Sequence, residues 1–132
     1  MERIETTILR NLVFDEDYAR KVIPFIQPDF FEVKTEKTIF QEIVHFIVKY
    51  NSTITQEALQ IEIDNRTDLT EEEVKQSRDI VSSLHNSLVE SQWLLDTTEK
   101  WCRDRAIYIA LMESIHIADG NDEKKNRDAI PS

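Results

Sequence analysis

Residues 91–119 read SQWLLDTTEKWCRDRAIYIALMESIHIAD, a run with no glycine or proline. Leu94/Leu95, Thr98, Trp101/Cys102, Arg105, Ile109, Met112 and His116 recur along it at helical spacing, and Gly120 stands where a helix C′ residue belongs. At 1.5 Å per residue such a helix is roughly 43 Å long. The ~90 residues before it can make a head only about 25–30 Å across. The helix should therefore project beyond the head. Its distal half carries Ile107, Ile109, Leu111, Met112, Ile115 and Ile117, an apolar set too wide for a solvated rod. That excess predicts a cover supplied from outside these residues.

Upstream, the pattern is of shorter helices. Ile4, Ile8 and Leu12, with Leu9 beside them, form one stripe over 4–14. Asp15 can cap a second helix over 16–22, and Pro24 ends it, because the residue before a proline is pushed out of the α region. Gln27-Pro28-Asp29-Phe30-Phe31 predicts one helical turn that plugs the core with two aromatics. Thr35 opens a third helix with an apolar face of Ile39, Phe40, Ile43, Phe46, Ile47 and Tyr50, broken at Asn51-Ser52-Thr53. Thr55 caps a fourth helix carrying Ala58, Leu59 and Ile63. Thr70-Glu71-Glu72-Glu73 is a capping box for a fifth, whose stripe is Val74, Val81, Leu84 and Leu88. The fold class expected is all-α: a compact helical head over 1–90, one long projecting helix over 91–119, and a tail over 120–132.

Composition narrows the function. The chain has 132 residues and one glycine, so phosphate-cradling loops of the Walker A or Rossmann kind, which need several, are excluded from it. No apolar run nears the ~20 residues of a membrane span, and MERIETTILRNLVFDE lacks the basic start and continuous apolar stretch of a signal peptide. With a lone Cys102 there is no internal disulfide framework or multi-cysteine zinc site. These features suit a soluble intracellular chain. Net charge is −10 and unevenly placed: residues 1–54 carry 7 Lys/Arg against 9 Asp/Glu, 55–99 carry 3 against 11, and 100–132 carry 6 against 6. So acidic a middle should repel nucleic acid, whose affinity comes largely from cations on phosphates, and favours basic protein partners.

The chemistry-bearing residues form no catalytic constellation. Asp15, Glu16 and Asp17 are explained as an acidic first helical turn, without the glycine and distal glutamate of an EF-hand. His45, His85 and His116 lie far apart; His116 shares a helical face with Glu113 and Asp119, a surface network rather than a metal set. Cys102 sits on the apolar stripe as a small hydrophobe. Helices four and five could mimic a helix-turn-helix, but the would-be recognition helix opens on Glu71-Glu72-Glu73, which phosphates would repel. Lys100, Arg103 and Arg105 around Trp101 make a small basic cluster on a solvated face, with Trp101 toward the core.

In order and spacing these segments resemble the N-terminal domain of DnaB-type replicative helicases, in the form carried by T-even-like phages. The resemblance rests on Ile8-Leu9-Arg10-Asn11-Leu12-Val13-Phe14-Asp15, Tyr18, Lys21-Val22 and Pro24, then on Pro28-Asp29-Phe30-Phe31 and Ile39-Phe40. Its most specific part is Trp93-Leu94-Leu95, Thr98-Glu99-Lys100-Trp101 and Arg105-Ala106, followed by Ala129-Ile130-Pro131. It implies that the long helix is the first arm of a helical hairpin, that hairpins of neighbouring subunits pack into a collar on a hexamer, and that primase docks there, with a helicase loader as a further partner. ATP and Mg²⁺ would belong to a motor domain absent from these residues, leaving no cofactor for this chain. The second hairpin helix would lie past Ser132, making the chain a piece of a longer protein.

The expected role is thus interaction and oligomerisation, in the cytoplasm of an infected bacterial host, with self-association through the long helix and weak or no DNA binding. Ile109, Met112, Ile115 and His116 are the candidate contacts on the distal half, and Trp93 and Trp101 on the proximal half. A stand-alone acidic phage adaptor binding another replication protein is the alternative. A DNA-binding regulator and an enzyme rank below both.

Overall fold

The structure, a computed structural model, describes the backbone of residues 2–129 and the side chains of residues 2–117. Among them the chain is all helical: α1 (Ile4–Phe14), α2 (Glu16–Val22), α3 (Lys34–Tyr50), α4 (Gln56–Asp64), α5 (Glu71–Ser83) and α6 (Ser91–Ala129), with 3₁₀ turns at Ile23–Phe25 and Pro28–Phe30.

Helix α1 is the axis of the head. Ile8, Leu9 and Leu12 are fully buried, and burial of each such side chain favours the fold by about 1.5–3 kcal/mol. Its polar residues are buried as well: Asn11 Nδ2 donates to Thr7 O (2.8 Å), and the Arg10 guanidinium donates to Glu2 (2.9 Å) and Ser87 O (3.2 Å). Helix α3 crosses α1 through Ile39, Phe40 and Ile43, and the α4–α5 pair closes over α3 with Leu59, Ile63 and Val81.

The local signals act as expected. Asp15 Oδ1 accepts from Tyr18 N–H (3.1 Å), Thr55 Oγ1 from Ala58 N–H (3.1 Å), and both halves of the Thr70–Glu73 box are made. Asn51 ends α3 in the left-handed region (φ 54°), a place that usually falls to glycine. Arg20 of α2 donates to Asn51 O (2.9 Å), setting a cation at the C-terminus of α3.

Three expectations are corrected. The fifth helix stops at Ser83, and Leu88 is fully exposed (103%) rather than part of a continuing stripe. Gln56 Nε2 donates to Val81 O (2.6 Å) and Leu84 O (2.9 Å), meeting carbonyls that another turn of α5 would have used. The third helix starts at Lys34, with Thr35 already inside its first turn. The long helix does not end at Asp119: the backbone stays helical through Gly120 to Ala129. One glycine costs a helix only about 1 kcal/mol, and Glu123, Lys124, Lys125 and Arg127 are good helix formers.

Candidate interaction surface

Helix α6 opens on a cap of its own. Both oxygens of Glu90 accept backbone N–H groups, from Gln92 (3.2 Å) and Trp93 (2.6 Å). It then docks along α2 and the Pro28–Phe30 turn. Leu94 and Thr98 are buried, and the Thr98 hydroxyl lies 2.6 Å from the Tyr18 hydroxyl across the seam. Burial of Tyr18 raises the pKa of its phenol, so the group stays a neutral hydrogen-bonding partner at any physiological pH. Trp101 fills the pocket made by the proline–aromatic turn: its ring stands edge-on to Phe30 (centroids 6.0 Å) and tilted against Phe31 (5.0 Å). Arg105 Nε donates to Phe30 O (2.6 Å), and its guanidinium pairs with Glu32 (3.2 Å).

The sequence candidates therefore divide. Trp101 is core, 8% exposed, and is not available as a contact. Ile109 is half-buried against the head, which reaches one turn further along α6 than expected. Met112 (46%) and Ile115 (55%) are exposed, and so is His116. Trp93 is half-exposed but sits about 28 Å of helix away from Met112, so it shares no patch with it.

Ile107 and Leu111 of the expected distal apolar set are exposed beside Met112 and Ile115, and so is Tyr108, which that set lacks. At 100° per residue, Ile107, Leu111 and Ile115 form one row (i, i+4, i+8), and Tyr108 and Met112 form the next. Arg105 lies over the Tyr108 ring at 5.0 Å, so this face begins where the docked stripe ends. Tyr108 carries its signal in the same i, i+4 spacing to Met112.

The basic cluster is spent locally. Lys100 pairs with Asp104 (2.9 Å), Arg103 reaches Glu99 (3.9 Å), and Arg105 is held by the head. Cys102 lies at the seam, and burial pushes its thiol up to about 11, far from the thiolate a nucleophile needs. Among the described residues no three His, Cys, Asp or Glu side chains gather as metal ligands, and no helix is long and apolar enough to cross a membrane.

No protein-family profile matches the chain. Over 123 residues, 91% of its length, it is 32% identical to the "DnaB-like replicative helicase" of Enterobacteria phage T4 and spans 26% of that protein. An all-helical chain with a long, half-docked final helix, aligned over nearly its whole length with part of such a protein, is related to the DnaB-like replicative helicases.

Proposed function

We propose that this chain is the N-terminal interaction and oligomerisation domain of a hexameric replicative DNA helicase, forming the collar at which primase docks. The observation that carries the reading is the free face of α6 on Ile107, Leu111, Met112 and Ile115, presented beyond the head by a helix whose other half is docked. Burying each of these side chains is worth about 1.5–3 kcal/mol, and a contiguous apolar face of this kind marks a protein contact. Supporting it is the similarity to the phage T4 protein. In this reading a second hairpin helix covers part of the face and a neighbouring subunit covers the rest, a loader acts on the same assembly, and ATP and Mg²⁺ are used by a motor domain elsewhere in the parent chain. The protein works in the cytoplasm of the infected bacterium and holds DNA weakly or not at all through this domain.

Two experiments test it. Sedimentation velocity over a hundredfold concentration range should show weak, concentration-dependent self-association, whereas a strict monomer throughout would count against the distal face. A parent helicase lacking residues 1–132 should lose stimulation by its primase; normal stimulation would refute the docking role.

A further inference from the structure

The opposite end of α6 carries a second feature, on the seam between α2 and the docked half of the helix. Three neighbouring hollows lie side by side along it, each sharing wall residues with the next. The largest, about 510 Å³, has a floor of Val22, Leu95, Thr98 and Cys102, with Phe25 on its rim. The next shares Lys21 and Leu95 with it, and the third joins through Asp15, Asp17 and Ser91 and ends at Phe14 and Leu88. From Ser91 to Cys102 the groove follows about 16 Å of α6, three turns of helix. Apolar side chains stand bare along it: Phe25 is 71% exposed and Leu88 entirely so. The charged lining is one-sided, with Asp15, Glu16, Asp17 and Glu99 against a single Lys21.

We infer that this groove docks a basic amphipathic helix of another protein, apolar side chains on the floor and Lys or Arg against the acidic rim. Along Ser91–Cys102 the occupant is helical because the groove there runs between α2 and α6, two helices that bond their own backbones; an extended strand would find no sheet edge to pair with on that stretch, whereas a helix satisfies its own backbone and needs only apolar anchors at i, i+4 and i+7. It is basic because the rim is acidic, which also sets nucleic acid aside. It is not a second copy of the distal α6 face, because no Lys or Arg lies between Arg105 and Lys124 while Glu113 does. The inference is independent of the proposed collar, which uses the other end of the helix.

The test is a titration of the ¹⁵N-labelled full chain, at 150 mM salt, with an 18-residue helical Leu/Lys amphipathic peptide and with a scrambled peptide of the same composition. Saturable amide shifts should concentrate in residues 15–25 and 91–102. The scrambled peptide, Phe25→Ser and the double variant Asp17→Lys/Glu99→Lys should each weaken binding about tenfold. Phe25, Asp17 and Glu99 are exposed, so these variants keep the fold, which the unshifted remainder of the spectrum verifies. Equal binding of the scrambled peptide, shifts centred on residues 107–117, or no saturable shift would overturn the inference. So would groove shifts appearing with protein concentration alone, which would identify a second copy as the occupant.

Discussion

Residues 94–109 and 107–117 of α6 overlap by barely a turn and are built from similar side chains, yet one stretch is docked and the other is bare. What separates them is the treatment of the polar groups. In the docked stretch the Thr98 hydroxyl meets Tyr18 and the Arg105 guanidinium meets Phe30 O and Glu32, each within 3.2 Å. Among the described side chains buried along this stretch, Trp101 Nε1 is the one donor left without a partner; the other polar groups are met as the apolar residues between them are buried. Beyond Ile109 the head ends, and Ile107, Leu111 and Ile115 turn toward solvent on a different side of the helix. Apolar content alone does not decide burial; a matched polar partner and a wall within reach do.

The sharpest break of this contrast is Trp101→Ala. It empties the pocket between Phe30 and Phe31 and should cost about 3–5 kcal/mol, read as a lower denaturation midpoint; a loss below 1 kcal/mol would mean that α6 is not anchored there. Tyr18→Phe leaves the buried Thr98 hydroxyl without its partner and should cost about 1–3 kcal/mol, with the far-UV helical signal unchanged. Met112→Lys belongs to the bare half. It should alter stability by no more than about 0.5 kcal/mol while shifting sedimentation toward monomer. A fourth change sharpens the head as reference. Burial raises the pKa of Glu36 although Arg3 lies 2.9 Å away. For an acid raised in the folded state, the favourable contribution is complete below the unfolded value and is lost as pH rises through the folded one. Glu36→Gln should therefore gain on the wild type from about pH 5 upward, in chemical denaturation at a series of pH values. A wild-type advantage that grows with pH would show that the Arg3 pair outweighs burial.

Much of the head was legible because its signals are local. Asp15, Thr55 and the Thr70–Glu73 box each bond an N–H three residues away, so sequence spacing contains the whole interaction. The caps that went unread are tertiary: Gln56 reaches carbonyls 25 and 28 residues away, and Arg20 reaches Asn51. No window on the chain connects them, and so Leu88 was placed on a helix that Gln56 closes at Ser83. The boundary of the distal surface was hidden for another reason. Ile109, Met112 and His116 stand at i, i+3 and i+7, in line with the docked stripe. Periodicity is continuous through the point at which the head runs out, so it groups Ile109 with the bare residues, gives Ile107 and Leu111 only as part of the general apolar excess, and passes over Tyr108.

The uninterrupted backbone of α6 couples its two halves as a lever. No kink-forming proline falls between Ser91 and Ala129, so the hinge-free arm beyond Ile109 extends about 30 Å. Tilting the head by about 10° would swing the tip of that arm through roughly 5 Å. A small rotation, set by whatever leans on the head, thereby becomes a displacement large enough to reseat side chains at the far end.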